Sequence, residues 1–166
     1  MENGLTPDSI VSGAPVSWGN WHPGNYNGAS AGTMTLTTAL VKSINTVPVR
    51  LAKEKLGIAP IKAMAEAMGV ESPLESHKTM VLGTSGMTVM DQATGYSVFA
   101  QNGMVGSRHG ITQLVTHTGE VIYDFAKDAA PPHRVLSEQA LKYMNSMLVQ
   151  VPVIGTARRA ALPGIV

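Results

Sequence analysis

Ser43-Ile44-Asn45 sets a hydroxyl and a carboxamide two residues apart, at a point where the helical pattern of the chain must break. A serine hydroxyl can relay a proton, and an asparagine carboxamide offers a donor and an acceptor with which to hold an amide. The same residues have a plainer use, in which Asn45 only caps the next helix and Ser43 only ends the one before. A two-residue motif with one variable place does not by itself separate these readings.

Two helices must present the tripeptide. Thr33 to Val41 predicts the first, with Leu36, Ala39 and Leu40 on one face. Thr46 to Leu56 predicts the second, with Val47, Leu51 and Leu56 apolar and Gly57 placed to end it. In a single continuous helix Pro48 would remove a hydrogen bond and clash with the preceding turn, at about 3 kcal/mol. With Asn45 as N-cap, Pro48 is the third helical residue, where its missing N–H has no intrahelical partner to lose.

Around this pair the chain falls into short segments. Residues 1 to 32 are rich in Gly, Pro, Ser and Asn and read as a long ordered loop, not helix or strand. Its Trp18, Trp21 and Tyr26 serve either to anchor the loop on the body or to stack on sugar rings. Pro60 opens a third helix carrying Ile61, Met64, Ala65 and Met68, which stops at Gly69. A polar connection over 70 to 79 leads to the apolar run Met80-Val81-Leu82-Gly83 and the loop Thr84-Ser85-Gly86. Thr88 then caps a helix with Asp91 three residues on, and Val89, Met90, Ala93, Tyr96 and Phe99-Ala100 predict its buried face. Ile111 to Thr116 and Val121 to Phe125 alternate with period two about His117-Thr118-Gly119-Glu120, which predicts a β-hairpin. Ser137 caps a last helix with Leu141, Met144, Leu148 and Val151, and the run to Leu162-Pro163-Gly164-Ile165-Val166 carries no terminating signal.

Composition narrows the chemistry further. The 166 residues, 44% hydrophobic and 14% charged, suffice for one domain with a core, here 1–166. Twelve basic and eleven acidic residues are scattered without a Lys/Arg cluster, which argues against nucleic acid as a partner. The absence of cysteine removes disulfides, thiol nucleophiles and Cys-ligated zinc. His22, His77, His109, His117 and His133 include no pair at helical ligand spacing, so they read as surface or loop residues, with no metal and no cofactor implied. Met64, Met68, Met90, Met144 and Met147 fall in helical patterns as core filler. The start, Met1-Glu2-Asn3-Gly4, has neither the basic nor the apolar part of a signal peptide, and no apolar run approaches the length of a membrane span.

Taken in order, the segments resemble the transpeptidase domain of class A penicillin-binding proteins. The resemblance rests on Trp21-His22-Pro23-Gly24-Asn25-Tyr26, on Thr35 through Val47, on Val81-Leu82-Gly83 and on Asp91-Gln92-Ala93 to Tyr96. It continues through Phe99-Ala100-Gln101-Asn102-Gly103, Arg134-Val135-Leu136-Ser137 and Met147-Leu148-Val149 to Gly155-Thr156. That family carries three motifs, S-x-x-K, S-x-N and K-T-G, and Ser43 and Asn45 match the second. No serine here is followed by lysine at the third place, and Lys78-Thr79-Met80 is not K-T-G. His117-Thr118-Gly119 imitates a looser third motif but reads as the hairpin turn, because the family places that motif after the stretch matching Gly155-Thr156.

The resemblance implies an α+β fold, a partial penicillin-binding-protein or serine β-lactamase-like transpeptidase fold made mainly of the helical subdomain plus a β-hairpin. It implies acyl transfer from a D-alanyl-D-alanine stem peptide through a serine ester, with stem peptides and β-lactams as partners. Ser43 and Asn45 are then the catalytic residues in this chain, which corresponds to the segment between the first and third motifs and is inactive alone. Glu2-Asn3-Gly4-Leu5-Thr6-Pro7 resembles the end of the helix bearing the first motif. A parent with a glycosyltransferase domain and membrane anchor, working in the periplasm, is the usual family arrangement. Two alternatives stand beside this reading. One is a non-catalytic peptidoglycan-binding module, suggested by the aromatic loop, and the other is a relative of the serine β-lactamases.

Overall fold

A computed structural model describes residues 1–28 and 30–162, so the C-terminal run from Pro163 lies outside the described residues. Ile10–Ser12 (β1) and Thr33–Thr35 (β2) pair antiparallel, with Val11 opposite Met34. Helix α1 (Leu36–Val41) follows β2 directly, because extended Thr35 accepts the Thr38 N–H on its Oγ1 at 3.2 Å. This corrects two expectations. Residues 1–32 contain a strand, and Thr33–Thr35 is strand where helix was expected, since β-branched threonines suit a pleated ribbon and the Thr35 cap fixes the helix start.

Helix α2 (Thr46–Leu51) runs into a π-helical turn over Ala52–Leu56, closed by the Gly57 N–H on the Ala52 carbonyl at 2.7 Å. Gly57 has φ 76°, a conformation a side chain would strain, so it ends the helix as expected. Helix α3 (Ile58–Ala67) starts two residues before Pro60, which is its third residue. Gly69 stops the chain after it with φ 89°. The run Lys78–Leu82 is a 3₁₀ turn, and Trp18 and Trp21 bridge each other across a turn of the loop while Tyr26 is exposed.

Helix α4 (Val89–Ala100) is capped as expected, the Asp91 N–H reaching Thr88 Oγ1 at 3.1 Å. Its buried face is different. Asp91, Thr94 and Val98 face inward, whereas Val89 is 87%, Met90 60% and Tyr96 61% exposed, and Ala93 is exposed too. Met90 is therefore not core filler. The cause is the Asp91 carboxylate, which accepts from the Ser72 hydroxyl, the Glu71 N–H (3.2 Å), the Thr88 hydroxyl (2.8 Å) and the Arg108 guanidinium (3.0 Å). A buried charge must keep its partners, so it fixes the rotation of the helix, and the 3.6-residue period turns Val89, Ala93 and Tyr96 to the far side.

The Ser72 hydroxyl first, then the Glu71 N–H, the Thr88 hydroxyl and Arg108, hold the Asp91 carboxyl well below the usual carboxylate range, against the opposing effect of burial. Its contribution to stability is therefore complete above about pH 4, the unfolded value, and is lost as pH falls below it. Denaturant midpoints measured against pH are expected to fall less steeply below pH 4 in Asp91→Asn, and an unchanged slope would remove Asp91 as the source.

Met104–Val105 (β3), Gln113–Val115 (β4) and Val121–Asp124 (β5) come next, and β4 and β5 form the expected hairpin. Gly119, with φ 89°, and the mutual hydroxyl bond of Thr116 and Thr118 (2.8 Å) shape its turn, so His117-Thr118-Gly119 is a hairpin turn. After the single turn α5 (Phe125–Asp128), His133–Arg134 (β6) pairs with β3. Helix α6 (Glu138–Leu148) starts at the Ser137 cap, whose Oγ accepts the Ala140 N–H at 3.2 Å, and buries Ala140, Leu141 and Met147. Val151 belongs instead to a separate turn, α7 (Val151–Ile154), because Pro152 has no N–H to carry α6 onward.

Among the described residues the result is an α+β body of helices with three two-stranded ribbons. One apolar cluster, Val11, Ala39 and Val47 with Met34, Leu36, Ile44 and Leu51, lies under the α1–α2 junction. A second, centred on Val70, Leu74 and Met80, joins α3 to the 3₁₀ turn. All five histidines are exposed, and among the described residues no helix is long and apolar enough to cross a membrane.

Candidate active site

Helix α1 ends in a left-handed turn. Ser43 has φ 54°, its N–H bonds to the Leu40 carbonyl at 3.0 Å, and the Ile44 N–H bonds to the Ala39 carbonyl at 2.9 Å. This pair of bonds is the Schellman closure, in which the left-handed place usually belongs to glycine. A serine there bears a cost of about 1–2 kcal/mol. In return it carries an exposed hydroxyl at the junction of two helices, with no hydrogen-bond partner among the described residues.

Lys42 does not serve Ser43. Its Nζ donates to the Ile154 carbonyl at 3.2 Å, and the Thr156 N–H donates to the Val41 carbonyl at 3.3 Å, so the segment after α7 clamps the last turn of α1. Gly155 permits the clamp, since a Cβ there would lie 2.6 Å from the Val41 carbonyl oxygen.

Asn45 occupies the N-cap place of α2 but does not cap it. Its φ and ψ, −60° and −37°, are helical, and its side chain makes no bond to its own helix. Instead Nδ2 donates to the Gly24 carbonyl at 3.0 Å. The Thr46 N–H is taken by Asn25 Oδ1 at 3.2 Å, and the buried Thr46 hydroxyl donates to the Gly13 carbonyl at 2.9 Å. Arg50 extends this seam, donating through Nη2 to the carbonyls of Ala14 and Pro15, both at 3.0 Å. Lys78 pins the loop from the other side, with Nζ 2.7 Å from the Trp18 carbonyl oxygen and 3.0 Å from Asn20 Oδ1.

Ser43 and Asn45, the two residues singled out in the sequence, line one open cleft of about 330 Å³ together with Leu40, Pro48, Val81 and Leu82. The structure thus brings both to one surface, with apolar walls and no carboxylate or ammonium among the described residues that line it. The cleft can hold an amide and relay a proton through a hydroxyl. Among the described residues it contains no activated nucleophile, and no serine–lysine hydrogen bond occurs. Ser17 Oγ lies 2.7 Å from His22 Nδ1, but both are exposed and no third group among the described residues orients the imidazole. No group of three or more metal-binding side chains occurs among the described residues. Sequence reasoning missed Gly24, Asn25 and Thr46 as neighbours of the motif, although Gly24 and Asn25 sit in the stretch Trp21 to Tyr26 that carried part of the resemblance.

Solved structures share this arrangement of helices. The penicillin-binding protein PonA1 of Mycobacterium tuberculosis superposes with a TM-score of 0.86 at 21% identity, over 98% of this chain and 46% of that one. The sequence matches the penicillin binding protein transpeptidase domain over residues 1–165, and the chain belongs to that family. It is 30% identical to penicillin-binding protein 1A of Aquifex aeolicus over 148 residues, covering 89% of this chain and 20% of that protein. It is also 30% identical to penicillin-binding protein 1A of Rickettsia felis over 129 residues, covering 74% of this chain and 16% of that protein. The chain therefore spans about a fifth or less of the length of these curated relatives. PonA1 has also been solved in complex with penicillin V, with a TM-score of 0.80 to this chain at 21% identity, over 91% of this chain and 43% of that one.

Proposed function

We propose that this chain is the middle part of a serine-type D,D-transpeptidase of peptidoglycan cross-linking, working on the extracytoplasmic side of the membrane. The observation that carries the reading is the cleft, where an exposed Ser43 hydroxyl, without a hydrogen-bond partner among the described residues, and the Asn45 carboxamide stand together in a chain of this family. In this reading a serine preceding this chain gives its proton to a lysine base and attacks the penultimate D-alanyl carbonyl through its oxygen. The peptide C–N bond breaks, and D-alanine leaves with a proton relayed through Ser43. An acceptor amine then displaces the enzyme serine to form the cross-link. Asn45 holds the substrate amide during both steps. A K-T-G strand following this chain supplies an oxyanion N–H, whose loss alone costs on the order of 10² to 10³ in rate.

β-Lactams acylate the same outside serine, and the whole protein carries the glycosyltransferase domain and membrane anchor usual in the family. Labelled penicillin is the test. It is expected to attach covalently to the complete protein and to leave this chain, expressed alone, unlabelled. Stoichiometric attachment to any serine of this chain would overturn the proposal.

A further inference from the structure

We infer that Asn25 is a positioning residue for Asn45, which rests on the functional reading just given. The first N–H groups of any helix need acceptors from outside it. At α2 the residue in the N-cap place has helical dihedrals and does not supply one. Asn25 does so from the loop, accepting the Thr46 N–H at 3.2 Å and facing the Thr46 hydroxyl at 3.4 Å. The carbonyl immediately before it, Gly24, accepts Asn45 Nδ2 at 3.0 Å. Two adjacent loop residues therefore do two linked things. One satisfies the helix in place of Asn45, and the other fixes the rotation of the Asn45 carboxamide.

A carbonyl oxygen can only accept, so the nitrogen of the carboxamide must face Gly24. The second N–H and Oδ1 are left for the cleft, where neither has a partner among the described residues. If Asn45 capped its own helix, its oxygen would be spent on a backbone N–H. The buried Thr46 hydroxyl on Gly13 locks the same loop down, so the device has little room to move.

The experiment is acylation of the complete protein by labelled penicillin, with saturation separating the rate constant from the binding constant. Asn25→Ala is expected to lower the acylation rate constant by about 10²-fold, the effect of misplacing a reacting group by about 1 Å. Asn25→Asp keeps the oxygen acceptor and is expected to restore most of the rate. Asn25→Ser, too short to reach Thr46, should behave as the alanine variant if that one does not fold. On an Asn45→Ala background, Asn25→Ala is expected to add no further loss, since both act through one group. An equal loss on both backgrounds would show a role in folding only and overturn the inference. A slow Asn45→Ala beside a normal Asn25→Ala would overturn it as well, leaving the functional reading intact. If neither Ser43→Ala nor Asn45→Ala slows acylation, the site reading itself falls.

Discussion

Replacing Ser43 with glycine is expected to stabilise the fold while slowing acyl transfer by about 10²- to 10⁴-fold, the usual worth of a positioned proton relay. The left-handed conformation at φ 54° costs an L-residue about 1–2 kcal/mol, and glycine returns some of this through its greater freedom in the unfolded chain. The net gain is about 0.5–1 kcal/mol. Ser43→Ala removes the same hydroxyl but keeps the strain, so it should match glycine in lost rate and fall below it in stability. Denaturant midpoints and transpeptidation rates, measured on the complete protein, check both halves. A glycine variant that is less stable than alanine would show that the left-handed turn is not the source of strain. A glycine variant with full activity would show that no proton passes through residue 43.

Gly155→Ala is expected to cost about 3 kcal/mol, near the upper end for forcing one methyl into a packed site. The added Cβ would meet the Val41 and Val151 carbonyl oxygens at 2.6 and 2.7 Å and the Val151 Cα at 2.9 Å. All three are backbone atoms, which cannot swing aside as a flexible side chain can. The clamp between Thr156 and Val41 must open, and with it the last turn of α1 that holds Ser43. For a domain of this size the melting temperature should fall by about 6–12 °C. Gly86→Ala, where nothing lies within 4 Å, is the control. Equal, small effects at both positions would mean that the segment after α7 does not grip α1.

The features legible in the sequence were those that act over a few residues. Thr88 and Ser137 announce their helices through side chains that reach a backbone N–H three residues on. Gly57, Gly69 and Gly119 announce a reversal through a conformation that only glycine adopts cheaply. The break at Ser43 was visible because Pro48 excludes a continuous helix. What stayed hidden depends on partners brought from elsewhere. Thr33–Thr35 fits a helical period until Ile10–Ser12 pairs with it. The inward face of α4 was misjudged because apolar periodicity takes no account of a carboxylate held by Ser72, Glu71 and Arg108. Asn45 looked like the cap of its own helix because the acceptor that replaces it, Asn25, stands 21 residues from Thr46.

The clamp on α1 also bears on the order in which the molecule assembles. The bond of Lys42 to Ile154 closes a loop of 112 residues, whereas that of Arg108 to Asp91 closes 17. Closure entropy grows as the logarithm of loop length, so the longer contact costs about 1.7 kcal/mol more to form from an open chain. The corner around Asp91 can be gathered early from neighbouring sequence. The turn bearing Ser43 receives its final anchor only after nearly everything between the two ends of that loop has been collected, so the geometry of this turn matures with the last long-range contacts and loosens when they open.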